Sequence, residues 1–381
     1  MAKTIRLVFT SFKFPSLLLG LLIVIQTSVE ANDEPLAEFS IDSPRSLISV
    51  PVHTLGGKFD FIIDTGATLS VYSSTLNWPG EPVKVEIART ASRDREVPLY
   101  RRPPTRIGQL QIPGNDLVVA IDFTELSGAW GRRIDGLIGM DVLNRYVIQL
   151  DFDARIVRFL NAAPADCGTR IPLGLSRQKQ PTIPVEVAGE QIEARIDTGS
   201  AKELDVSLTR WRKLQSQNRL SRTRVIKLAS AGGIVYSNQA LIDGFKVADD
   251  SFDKIQIGTN QVESIGVGFL ARYLVTFDFP NKAIYLKPGK LFSTPLPRDA
   301  SGISLISKDE QIVIAAVAEG SPASKKGIKK GDCIVSVNSQ AAKNWSLTEL
   351  RNLMTKSGDV VVLTVKRENQ SFEFSVSLDD Y

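Results

Sequence analysis

Two short stretches carry the residues best suited to chemistry: Asp64-Thr65-Gly66-Ala67 and Asp197-Thr198-Gly199-Ser200, with the aspartates 133 positions apart. In each, a carboxylate sits on a tight turn, and Gly66 and Gly199 let the backbone bend and let a partner loop come close. Two such turns meeting face to face would bring two carboxylates to about 3 Å, where both cannot ionise and one proton is shared. The ionised member can then take a proton from water while its protonated neighbour polarises a carbonyl. Little else in the 381 residues could do acid–base work, because the chain has one histidine, His53. A zinc site of the His-x-x-x-His kind needs two histidines, and a Ser-His-Asp triad would have to use His53 itself. Gly-x-Ser-x-Gly and Walker phosphate-loop motifs are absent. The expected chemistry therefore rests on carboxylates alone, with no metal and no cofactor.

The elements that must position these turns repeat. Pro51-Val52-His53 leads to Asp64 and Pro184-Val185-Glu186 leads to Asp197, with Gly56-Gly57 and Gly189 as intervening turns. A second block runs from Ile138-Gly139 through Leu143, Arg145 and Tyr146 to Asp151-Phe152. Its copy runs from Ile265-Gly266 through Leu270, Arg272 and Tyr273 to Asp278-Phe279 at identical spacing. Short β-branched and aromatic runs such as Phe59-Asp60-Phe61-Ile62-Ile63 read as strands. Helical period is sustained only over 207–220 and 347–354. Gly266-Val267-Gly268 imitates a dinucleotide fingerprint, but no βαβ pattern surrounds it. One Asp-Thr-Gly alone marks a turn and nothing more, since aspartate is common there.

The paired Asp-Thr-Gly motifs, each followed by a block ending in glycine (Leu137-Ile138-Gly139; Ser264-Ile265-Gly266), resemble the two-lobed retropepsin-like/pepsin-like aspartic proteases. The resemblance covers 36–290. It implies a mainly β chain with two homologous retropepsin-like (acid protease) β-barrel lobes, 32–163 and 164–290. It further implies an aspartic endopeptidase, with Asp64 and Asp197 activating a water between them. Thr65 and Thr198 would hydrogen-bond across the pair, and Gly66, Ala67, Gly199 and Ser200 would support it. The alternative is a non-catalytic peptide-binding protein that keeps the cleft. If Ser200 donates to Asp197, that carboxylate stays ionised and Asp64 carries the proton. The family folds a glycine-tipped hairpin over its cleft, which here suits 229–236, with Gly232-Gly233 as the turn and Tyr236 over substrate. The matching stretch 91–96 has no glycine and is expected to form a longer polar loop. Its own Arg93 and Arg95, with Arg101 and Arg102 just after it, are either a solvated charge run or a site for acidic side chains.

Pro288-Gly289 and Pro295-Leu296-Pro297 mark an expected linker, 291–300. The run Ser321-Pro322-Ala323, Gly327-Ile328, Gly331-Asp332-Cys333-Ile334 and Val337-Asn338 resembles bacterial-type PDZ domains over 301–381, a β-rich fold with two helices. That resemblance implies that Gly302, Ile303, Ser304 and Leu305 hold the terminal carboxylate of a peptide added as a strand. Cys333 is expected in the core, and Cys167 and Cys333 both as free thiols. At the other end, Lys3, Arg6 and Lys13 precede an apolar stretch and a small-residue site, the layout of a signal peptide over 1–31, with an uncleaved anchor as the alternative. Export to the periplasm or beyond the cell follows. Loss of Lys3, Arg6, Lys13 and Glu30 lowers the formal net charge from +4 to +2, too little to argue for nucleic acid. The expected partners are a peptide or protein substrate and protein C-termini, with a monomeric protease unit.

Overall fold

The computed structural model describes residues 34–89, 94–114, 116–230, 233–379 and 381. The expected signal peptide, residues 91–93 and Gly232 lie outside the described residues. No helix among the described residues is long and apolar enough to cross a membrane. The chain is mainly β. One sheet runs from edge to edge through Lys84–Arg89, Asp94–Arg101, Leu117–Ile121, Val71–Ser73, Gly136–Ile138, Gly57–Ile63, Ser49–Thr54, Thr105–Ile107 and Leu110–Ile112. Its counterpart runs through Leu220–Ser230, Gly233–Ile242, Ile255–Asn260, Leu204–Ser207, Ser264–Gly266, Glu190–Asp197, Pro181–Val187, Phe245–Val247 and Asp250–Phe252. Each strand of the first has its equivalent at the same place in the second, so the sequence repeat is a repeat of topology.

A third sheet joins the halves. Val147–Asp151 pairs antiparallel with Tyr273–Asp278, with Ile148 opposite Phe277 and Leu150 opposite Val275. Ile63, Ile138, Ile196 and Ile265 are 1% exposed or less and belong to one apolar core that spans both repeats. Burying such side chains contributes roughly 1.5–3 kcal/mol each.

Of the stretch expected to be a longer polar loop, residues 94–96 belong to strand Asp94–Arg101, which pairs with Lys84–Arg89 from Lys84 opposite Leu99 to Arg89 opposite Asp94. Alternating Val85 and Ile87 give Lys84–Arg89 the period of a strand despite the charges, and both remain exposed. The helix expected over 207–220 is shorter, Leu208–Ser216. Ser207 caps it, its Oγ accepting from Arg210 N at 3.3 Å, and Trp211 and Leu214 face the core. Asn218 at φ 53° ends the helical path, and Leu220 begins the next strand. A helix with no sequence signal, Thr124–Trp130, follows Leu117–Ile121 and is closed by Gly131 at φ 85°.

Residues beyond 300 build a separate core of Ile303, Leu305, Ile314, Ile334, Leu347, Leu350 and Leu363, among others. Their sheet runs through Ile303–Lys308, Gln311–Val317, Cys333–Val337, Val360–Arg367 and Gln370–Ser377, so Ile303–Lys308 is an edge strand. Helix Leu347–Leu353 starts at a capping box: Ser346 Oγ accepts from Glu349 N at 3.1 Å, and Glu349 Oε2 accepts from Ser346 N at 2.7 Å. Cys333 is not in that core; it is half-buried, and its Sγ lies 3.4 Å from Gln311 Oε1. Cys167 is buried, and both thiols are free.

Candidate functional site

Strands Gly57–Ile63 and Glu190–Asp197 deliver the two aspartates to the same place. Gly136–Ile138 runs parallel beside the first strand and Ser264–Gly266 beside the second, so each turn is backed by the glycine block of its own half. Asp64 Oδ1 accepts from Gly66 N at 2.8 Å and from Ala67 N at 3.1 Å, while Asp197 Oδ1 accepts from Gly199 N at 3.1 Å. The turns interlock through their threonines. Thr65 Oγ1 donates to Ile196 O at 2.7 Å and accepts from Thr198 N at 3.1 Å. Reciprocally, Thr198 Oγ1 donates to Ile63 O at 2.7 Å and accepts from Thr65 N at 3.0 Å. Thr65 and Thr198 are 1% and 0% exposed, so all four bonds lie away from water.

The glycines have a steric reason as well. A Cβ on Gly66 would stand 2.5 Å from Asp197 Oδ1, and one on Gly199 would stand 2.5 Å from Asp64 Cγ. Each carboxylate therefore rests on the backbone of the opposite turn. Burial first, and then the facing Asp197 charge, push Asp64 up to about 7, against the pull of the Gly66 and Ala67 N–H groups.

The pair is not symmetric. Arg195 Nη2 donates to Asp197 Oδ2 at 2.7 Å, and Arg195 Nη1 reaches Gln180 Oε1 at 3.4 Å. Gln180 Nε2 in turn donates to Gly66 O. Ser200, expected to donate to Asp197, instead accepts from Lys202 N at 3.4 Å. The group that pairs with Asp197 is thus a guanidinium that sequence reasoning passed over. Its signal was present: Arg195 takes the place that buried Ile62 has in the first repeat, two residues before the aspartate.

Tyr236 is on strand Gly233–Ile242 and 75% exposed, opposite Lys227. Arg102 is buried and paired with Asp141, which removes it from the solvated charge run. His53 lines an open pocket with Thr54, Lys58, Asn77, Thr105, Arg106 and Gln111; no serine or carboxylate is in that lining. No group of three or more His, Cys, Asp or Glu able to hold a metal occurs among the described residues.

A second arrangement lies beyond residue 300. Gly302 sits at φ 81°, and a Cβ there would meet Ser321 Cβ at 2.1 Å, so only glycine fits. Its N–H donates to Asp299 Oδ2 at 2.7 Å, and Ile303 N donates to Ser301 Oγ at 3.0 Å. Two amides expected to hold a ligand carboxylate are therefore satisfied from within the chain. Ser304 and Leu305 follow on the edge strand, with a shift of register between them.

Residues 301–378 match the PDZ domain family, and a PDZ domain is present. Among curated proteins, the periplasmic serine endoprotease DegP of Escherichia coli (strain K12) is 40% identical over 60 residues, 16% of this chain and 12% of that protein. DegP of Salmonella typhimurium is 36% identical over 64 residues, 17% of this chain and 13% of that protein. The chain thus spans about one eighth of the length of the curated relatives it matches, over their PDZ region. These relatives correct the expected aspartic endopeptidase and its aspartate-activated water: the proteases to which the chain is homologous are named serine endoproteases. Their periplasmic location and serine chemistry are stated of them; the match leaves out the repeats that carry Asp64, Asp197 and His53.

Proposed function

We propose that this chain is an exported peptide-recognition protein. Its PDZ domain takes the C-terminal segment of a protein partner as an added strand, and its two repeats, lobes of retropepsin-like fold, hold an extended peptide over the Asp64–Asp197 pair. The carrying observation is that Ile303–Lys308, directly after the Gly302 turn, is the edge of the PDZ sheet. An edge strand has unpaired backbone groups, and strand addition supplies affinity through them. Ile303 and Leu305 on the strand side and Leu347 and Leu350 on the helix side are apolar, which selects an apolar terminal residue. The lobe fold is supported by the shared strand order and by the reciprocal threonine bonds. At the floor of that cleft the pair shares one proton, so that it can donate to a peptide carbonyl and accept from a peptide N–H together. A periplasmic setting agrees with the location of the DegP relatives.

Fluorescence anisotropy with labelled decapeptides ending in Val, Leu or Phe tests the PDZ reading. Peptides with a free carboxylate are expected to bind at least tenfold tighter than their C-terminal amides; equal binding sinks it. Mass spectrometry of the same peptides after incubation at pH 3–8 tests the cleft, where intact peptide is expected. Cleavage products lost on Asp64→Asn and on Asp197→Asn would overturn the binding reading.

A further inference from the structure

The PDZ groove has two walls, the edge strand Ile303–Lys308 and helix Leu347–Leu353. Backbone groups alternate along a strand, and those of Leu305 and Ser307 point away from the neighbouring strand. These are the groups that an added peptide would use. Their carbonyls already have close neighbours. Arg351 Nη2, from the helix wall, donates to Leu305 O at 2.7 Å and also to Ala129 O in helix Thr124–Trp130. A Cβ on Gly128 would stand 2.7 Å from Ser307 O, and one on Gly131 would stand 2.6 Å from Leu347 Cβ. Helix Thr124–Trp130, which belongs to the first repeat, therefore touches both walls, and two glycines permit the approach. It also packs against strands Leu220–Ser230 and Gly233–Ile242.

We infer that helix Thr124–Trp130 fills the PDZ groove as an internal occupant, so that a C-terminal peptide and this helix exclude one another. The inference rests on the peptide-binding reading of the PDZ domain. Its consequence is that binding of a partner's C-terminus must lift the PDZ domain off the first repeat. Arg351 is central to both states: burial lowers its guanidinium to about 10, still protonated at neutral pH, and its bonds go to one carbonyl on each side of the contact.

Gly128→Arg places a side chain where none fits and belongs neither to the PDZ domain nor to the carboxylate pair. In the full chain it is expected to bind the same carboxylate peptides at least tenfold tighter than the wild type by anisotropy. A second variant, Gly128→Cys with Ser307→Cys on a Cys167→Ser, Cys333→Ser background, covers the case in which Gly128→Arg does not fold. Oxidised, it is expected to bind at least tenfold more weakly than after reduction. Equal affinity of wild type and Gly128→Arg, or of oxidised and reduced protein, overturns the inference while the PDZ reading stands. No carboxylate-dependent binding in any of these proteins overturns the PDZ reading, and this inference with it.

Discussion

Asp64 and Asp197 occupy equivalent turns, yet only Asp197 has a guanidinium beside it. Arg195 Nη2 lies 2.7 Å from Asp197 Oδ2, while the residue at the same place before Asp64 is the buried, apolar Ile62. Burial and the facing Asp197 carboxylate push Asp64 up to about 7, which assigns a proton to Asp64 below that pH. Arg195→Met removes a positive charge that lowers Asp64, so the apparent value should rise further; a carbon-detected carboxyl titration reads it, and an unchanged value speaks against the assignment. A second expectation concerns stability. Unfolded Asp64 loses its proton near 3.8, whereas folded Asp64 keeps it to about 7. Between these values the native state binds more protons than the unfolded one, so stability falls as pH rises across that window. Asp64→Asn cannot ionise, so its melting temperature should decline less between pH 4 and 7 than that of the wild type. Calorimetry giving parallel pH profiles would count against a raised Asp64.

At the scale of elements, the two turns are held by strands from opposite halves through four buried bonds of Thr65 and Thr198. Thr65→Val keeps the shape but leaves Ile196 O and Thr198 N without partners, at a cost of roughly 2–4 kcal/mol. Thr65→Ser retains the hydroxyl and should recover most of it in denaturant melts; equal losses for both variants would place the effect in packing. This joint was legible in the sequence because Asp-Thr-Gly occurs twice at matched spacing. The PDZ core was legible because its apolar and glycine positions are closely spaced along one short stretch. The pairing of Lys84–Arg89 with Asp94–Arg101 was not, since charges interleave its apolar positions, with Val85 and Ile87 exposed on one strand and Val97 and Leu99 buried on the other. Helix Thr124–Trp130 was hidden for a different reason. Gly128 is a poor helix former, costing about 1 kcal/mol relative to Ala, and stands there because Ser307 O comes so close. The residue that obscures the helix in the sequence is the one that lets it dock.

For the molecule as a whole, the segment between the second repeat and the PDZ domain decides how far the two can separate. Its prolines mark the expected linker, and its carbonyls are held one after another. Arg272 Nη1 donates to Phe292 O at 2.7 Å, and Arg45 donates to Thr294 O and, at 2.6 Å, to Pro295 O. Gln256 Nε2 reaches Leu296 O at 2.7 Å, and Arg224 Nη1 reaches Asp299 O at 2.6 Å. Arg272 is the anchor, because it also forms a buried pair with Glu203 at 2.7 Å, the two side chains being 3% and 1% exposed. Glu203 accepts from Gln256 N as well, which links the pair to the next support of the strap. Removing one partner of such a pair leaves the other charged and buried, so Arg272→Met should cost about 3–5 kcal/mol. Arg145, its equivalent in the first repeat, pairs at the surface with Asp116, the two side chains being 41% and 44% exposed. Arg145→Met should therefore change stability by less than about 1 kcal/mol. The strap itself is tested by Arg45→Ala with Gln256→Ala, which spares the Arg272–Glu203 pair. Limited proteolysis of this double variant should cut within 291–300 several times faster than in the wild type while the repeats remain resistant. Unchanged cleavage would mean that the docked PDZ domain, and not the strap, protects the segment.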